Sequence, residues 1–290
     1  MTTRDALKGV PYRRVRPKMT KIACRSFLAA FFGLATVLNA VPASAQYLNL
    51  TPTVVDDVPA VANQPAEKFT APRPSLFKPF TDVLGDFRHL PDRTNAAFLV
   101  VGLAAAAGTH KADADVSEDF GGTRNGLFRP GATIGGTPFE LGAAFATYAI
   151  ARSMNKPGVM SLGSDLIRAQ VMAEILTVGI KQGTRRSRPE GSGFSFPSGH
   201  TSAAFASATV IQQHYGWKFG VPAYAVATYV AASRVEMKKH YLSDVAFGAA
   251  VGIMAGRTVT IGHAHTFMVT PIGSTDGAGA GMGLTWVDKK

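Results

Sequence analysis

Residues 233–256 read SRVEMKKHYLSDVAFGAAVGIMAG, and the stretch changes character halfway. Up to Asp244 it is polar and strongly charged. Beyond it, twelve residues carry no charge and are mostly Ala, Gly, Val and Met, which reads as a helix over Asp244–Gly256. Working outward, five more segments have the same look: Asn95–Ala107, Phe139–Met154, Leu162–Lys181, Thr201–Gln213 and Phe219–Ala232. Gly or Pro generally sits between them. The fold expected is all-α: a compact bundle of about six helices over residues 91–262, with His110–Pro130 as a long loop.

The flanks differ. Residues 1–45 hold eight Lys or Arg against a single acid, then an apolar run from Phe27 to Val41, then Ala43-Ser44-Ala45. That order is the order of a cleaved signal peptide. Residues 46–90 scatter six prolines and are expected to form an extended arm. Residues 263–290 are expected to hold a β-hairpin, with strands at Thr266–Ile272 and Gly281–Val287 around a turn at Gly273–Gly279.

The formal charge of +11 falls to about +4 beyond residue 45, which removes the support for a nucleic-acid partner. The helical apolar runs reach only about 12–14 residues, short of the ~18 that argue for a membrane span. An exported, periplasmic, water-soluble bundle is therefore expected, with peripheral membrane contact compatible with it and a membrane-embedded bundle as the alternative. The single cysteine, Cys24, lies within the leader, so the mature chain has no thiol for a disulfide or a metal. Nothing in the sequence sets the oligomeric state.

Three short stretches carry the chemistry. In Lys181–Pro189, seven residues separate Lys181 from Arg188, two turns along one helix face, and Pro189 is expected to end the helix near Arg188. Two such cations suit an oxyanion, although a solvated basic helix end looks the same. In Phe196–Thr201, Gly199 permits close backbone approach and the N–H groups of a starting helix face outward. Ser198 adds a hydroxyl and His200 a proton carrier. The plainer alternative is a helix cap with a surface histidine. In Ser233–Asp244, His240 and Asp244 are four apart, so on a helix they share a face, and Arg234 adds a third cation. The alternative there is an ordinary i,i+4 surface pair.

Taken together, Lys181…Arg188-Pro189, Pro197-Ser198-Gly199-His200 and Ser233-Arg234…His240…Asp244 resemble the three signature motifs of the type 2 phosphatidic acid phosphatase and vanadium haloperoxidase superfamily. The resemblance implies a phosphatase that hydrolyses a phosphomonoester or pyrophosphate, on a small molecule or a lipid, without a metal or other cofactor. His240 would attack phosphorus, Asp244 orient it and His200 exchange protons with the leaving oxygen and water. Lys181, Arg188, Arg234, Ser198 and the Gly199 amide would hold the phosphoryl oxygens. The same pocket loaded with vanadate would make a haloperoxidase, and a non-catalytic phosphate- or lipid-binding protein is the third reading. The link from Glu190 to Phe196 is shorter than in the soluble acid phosphatases of this family, which leaves less chain to cover a substrate. Asp113, Asp115, Glu118 and Asp119 lack EF-hand spacing and read as a solvated acidic loop. His263 and His265 read as incidental, and Lys238 and Lys239 as solvating or attracting charge near His240.

The leader yields a direct expectation: the mature protein begins at Gln46, and N-terminal sequencing of the exported form should start with Gln46-Tyr47-Leu48. An N-terminus that retains the apolar run would instead mark an uncleaved anchor.

Overall fold

The computed structural model describes residues 74–122, 125–261, 266–273 and 280–287. The expected signal peptide, most of the arm, the hairpin turn, and His263 and His265 lie outside the described residues. Nine helices occur among those described: α1 (Lys78–Asp86), α2 (Arg93–His110), α3 (Asp113–Asp119), α4 (Asn125–Ile134), α5 (Thr137–Ser153), α6 (Pro157–Thr184), α7 (Gly199–Tyr215), α8 (Trp217–Glu236) and α9 (Leu242–Val259). After them, strands β1 (Thr266–Gly273) and β2 (Ala280–Val287) pair antiparallel with Thr266 opposite Val287.

The six expected helices fall on α2 and α5 to α9, generally within longer elements because polar ends and prolines extend them. Asp92 caps α2 by accepting the Thr94 N–H at 3.1 Å. Pro157 opens α6 and a proline sits in the first turn of α5, where the missing N–H costs nothing.

Two expectations fail. The arm is not extended at its end, because Lys78–Asp86 is helical and buries Pro79 and Val83 against the α5–α6 cluster. Pro79 lies in the first turn and therefore starts a helix instead of breaking one. The presumed loop His110–Pro130 contains α3 and part of α4. Asp113 and Asp115 favour the positive N-terminal end of α3, and Val116 anchors it in the core.

Helix α9 is the axis of the bundle. Every residue from Leu242 to Val259 is buried except Arg257, and α2, α6 and α7 pack around it. Its seam with α7 is made by Gly248, Gly252 and Gly256, four residues apart on one face. A methyl group on Gly252 would lie 2.3 Å from the Ser202 carbonyl oxygen, and one on Gly248 would lie 2.8 Å from that of Ser198. The two backbones touch with no side chain between them.

The outward faces of several helices are also apolar. Val100 and Leu103 on α2 are 65% and 53% exposed, Ile150 on α5 58%, and Val221 on α8 62%. Among the described residues only α9 is long and apolar enough to cross a membrane, and 94% of it is buried inside the bundle. A soluble core helix has the same properties.

Gly252→Ala should therefore force α7 and α9 apart and destabilise the fold by about 1–3 kcal/mol, the usual cost of overpacking. A thermal melt checks this, with Gly142→Ala, whose added methyl meets nothing within 4 Å, as the clash-free control that should hold or raise the melting temperature.

Candidate active site

The bundle's up-and-down course gathers the three stretches at one end. The α6 C-terminus delivers Lys181, the α7 N-terminus Ser198, Gly199 and His200, the α8 C-terminus Arg234, and the α9 N-terminus Asp244. The Ser198 N–H donates to the Asp244 carbonyl at 3.1 Å, which joins the two helix starts. The Arg234 carbonyl accepts from the N–H groups of Lys239 (3.0 Å) and His240 (3.2 Å). This closes a tight loop in which Lys238 takes a left-handed φ of 55°.

Two details of the expected local structure are corrected. Helix α6 ends at Thr184, and Arg185 at φ 47° turns the chain away. Lys181 and Arg188 therefore do not share a helix face; Arg188 comes back from the link 185–198. Likewise α9 begins at Leu242, so His240 precedes the helix. Its Nδ1 still faces Asp244 Oδ2, at 3.7 Å, because Asp244 stands in the first turn and projects back toward the loop. That separation is an ion-pair distance and longer than a hydrogen bond. Ser198 does occupy the N-cap position of α7, yet its hydroxyl caps no helix N–H; it accepts from the Thr201 hydroxyl at 2.9 Å.

The charges converge as expected. Burial and the nearby Arg188 charge push the Lys181 ammonium down to about 8. Its Nζ donates to the carbonyls of Pro197 (2.6 Å), Phe194 and Ser195 (both 3.3 Å). Arg234 is 6% exposed. Its Nε has no hydrogen-bond partner, and burial with the Arg188 charge pushes it down to about 10. Arg188 donates to the Phe194 carbonyl at 3.3 Å and lies 3.9 Å from Glu190. Lys239 takes most of that carboxylate, at 2.5 and 2.7 Å, so it ties the link to the His240 loop.

Both imidazoles are held neutral. Burial, reinforced by Arg234, His240 and Arg188, pushes His200 down to about 3. Burial lowers His240 to about 4, although the adjacent Asp244 pulls the other way. Asp244 itself is fully buried, which alone would raise its pKa. The neighbouring His240, the donors Ser195 and the Tyr241 N–H, and the Arg186 charge outweigh that and hold it below the usual carboxylate value.

Two of those contacts come from side chains that the sequence reading passed over, and one of these side chains has a further partner. The Ser195 hydroxyl donates to Asp244 Oδ2, and Arg186 Nη1 reaches Asp244 Oδ1 at 2.8 Å. Arg186 Nη2 reaches Asp113 at 2.7 Å. Asp113 is 4% exposed, so the expectation of a solvated acidic run fails there, while Asp115 and Glu118 are exposed as expected. No spacing rule signals a pair 73 positions apart. The arrangement as a whole places a neutral imidazole backed by a carboxylate, a second neutral imidazole, three cations and the free N–H groups of a helix start around one point. That is an equipment for holding an oxyanion and attacking it. Among the described residues no cluster of three His, Cys, Asp or Glu could hold a metal ion.

Comparison with known proteins adds to this geometry. Residues 174–266 match the profile of the PAP2 superfamily. Over 99 residues the chain is 40% identical to a lipid A 1-phosphatase of Porphyromonas gingivalis. That alignment takes in 33% of this chain and 22% of the relative, so the chain spans about a fifth of the relative's length. Among solved structures, the transmembrane PAP2 type phosphatidylglycerolphosphate phosphatase from Bacillus subtilis superposes with a TM-score of 0.46 at 18% identity. The superposition covers 64% of this chain and 94% of that one.

Proposed function

We propose, on the premise that residues 174–266 belong to the PAP2 superfamily, that this chain is a phosphatase acting on a lipid-linked phosphomonoester or pyrophosphate through a phosphohistidine on His240. The observation that carries the reading is the grouping of Lys181, Arg188 and Arg234 around a buried His240 whose Nδ1 faces Asp244. Phosphoryl transfer needs chiefly positioning and charge stabilisation, and three fixed cations supply here what other phosphatases take from metal ions.

With Nδ1 turned to Asp244, Nε2 is left for phosphorus. As the Nε2–P bond forms, the bond from phosphorus to the leaving oxygen breaks and His200 gives that oxygen a proton. In the second step His200 takes a proton from water, the water oxygen bonds to phosphorus, and the Nε2–P bond breaks. His200 is neutral in the free site, held down by burial and by Arg234 and Arg188 among others. A phosphate dianion beside those arginines offsets their charge, so His200 takes up its proton together with the substrate. Asp244 stabilises the positive charge that His240 acquires on attack.

The lipid part of the reading is supported by the apolar outward faces of α2, α5 and α8, which suit a protein working against a lipid surface. The activity named for the P. gingivalis relative, on lipid A, points the same way. Export to the periplasm, expected from the leader, would place the site where such lipids are exposed. No observation favours the haloperoxidase reading. A purely binding role leaves the placement of His240, His200 and Asp244 together without a purpose.

Acid-quenched wild-type protein given labelled substrate should hold phosphate that is stable in alkali and labile in acid. His240→Ala should lose both that label and turnover while keeping its melting temperature. Appreciable turnover in the alanine variant would sink the assignment.

The pH dependence follows from Lys181. Its free-enzyme pKa of about 8 means that the ammonium is charged at neutral pH and is lost as pH rises through that value. kcat/KM should fall above about pH 8, whereas kcat, which reports the anion-bound enzyme, should fall only at higher pH. A kcat/KM that stays flat to well above that value, in an enzyme that tolerates such pH, would exclude Lys181 from the charged pocket.

A further inference from the structure

We infer that Arg186 is the positioning residue of this site: its guanidinium, anchored on Asp113, fixes the carboxylate that orients the nucleophilic histidine. The inference rests on the phosphatase reading and goes beyond the motif residues. Arg186 stands between two buried carboxylates. Nη1 donates to Asp244 Oδ1 at 2.8 Å and to the Ser243 hydroxyl oxygen at 2.7 Å, and Nη2 donates to Asp113 Oδ2 at 2.7 Å. The guanidinium also lies over the Tyr241 ring, 4.2 Å from its centroid, so its plane is set as well as its ends.

The anchor is itself held. Asp113 Oδ1 accepts the Ser243 N–H at 2.9 Å, and Oδ2 accepts the Ser243 hydroxyl at 2.5 Å. A short helix outside the motif region is thereby joined to the first turn of α9, one residue from Asp244. The other Asp244 oxygen, the one facing His240, takes the Tyr241 N–H at 2.8 Å and the Ser195 hydroxyl. Both oxygens are thus pinned by donors from two loops, and only the direction toward His240 Nδ1 remains. A planar fork can hold two carboxylates at once in this way, and a point charge cannot. Buried ion pairs give little net stability over apolar packing of similar volume, so orientation is the better account of why one stands here.

The groups facing Asp244 are Arg186 and Ser195 from the link, Lys181 from α6, and His240 and the Tyr241 N–H from the loop. Behind Arg186 stand Asp113 and His110. Removing the Arg186 cation should raise the pKa of both Asp244 and His240, since each loses a nearby positive charge. The acid limb of the rate profile should therefore move to higher pH.

The test compares wild type, Arg186→Met and Arg186→Lys on p-nitrophenyl phosphate, with the His240 ring titrated by NMR in each. Arg186→Met should lower kcat by roughly 10- to 100-fold, as loss of an orienting second contact typically does, with KM little changed. Its acid limb and its His240 titration should both move up. Arg186→Lys keeps the charge and loses the fork, so it should restore the limb and leave kcat low. A wild-type kcat in Arg186→Lys overturns the inference, as does Arg186→Met with an unmoved His240 titration and acid limb. If Arg186→Met does not fold, the lysine variant decides alone. If wild type releases no phosphate, the phosphatase reading falls, and the His240 titration still decides the role of Arg186.

Discussion

The contact on which the site depends is the backbone-to-backbone seam between α7 and α9. Gly248, Gly252 and Gly256 leave no side chain on that face, so the Ser198 carbonyl and the Asp244 carbonyl come within reach of the opposite helix start. Helix α7 carries His200 and α9 carries Asp244. A larger residue in the seam would move His200 away from Asp244. Packing at the core and geometry at the site are here one constraint, met by three absent side chains.

Charge is the second organising element. Burial disfavours the charged forms of Lys181 and Arg234, and repulsion from Arg188 adds to it, so both pKa values are lowered. An oxyanion among them would relieve all three at once, so on the phosphatase reading the same charges both bind a substrate and stabilise the extra charge of its transition state. At the opposite end of the bundle the ionic groups are paired differently. Asp86 and Asp165 share Arg168, and Asp165 also meets His214 at 2.8 Å, so charge is cancelled there and serves structure.

Much of this was legible in the sequence, for reasons that can be named. The six main helices showed because long apolar, Ala-rich runs with few charges are set off from one another by Gly or Pro. The residues brought together at the site showed because their spacing repeats a recognisable pattern. What stayed hidden depended on context. Pro79 looked like a breaker and Pro130 like the end of a loop, and each lies in a helix. Asp113 looked like one more acid in a solvated run until Val116 drew α3 into the core and Arg186 neutralised it. The i,i+4 reasoning for His240 and Asp244 gave the right pair through the wrong geometry, since the helix starts between them. The outward apolar faces were not read at all, because hydrophobic residues distributed around a helix do not reveal which of them remain uncovered.

The seam also determines what can move. With backbone against backbone, α7 and α9 have no deformable layer between them, so the seam holds His200 and Asp244 at a fixed separation. Freedom is left to the link 185–198 and the loop 237–241, which meet across the pair of Lys239 and Glu190. Any widening of the mouth must begin by parting these two side chains. On the phosphatase reading, admission and release are then loop events at the surface, apart from the frame that holds His200 and Asp244.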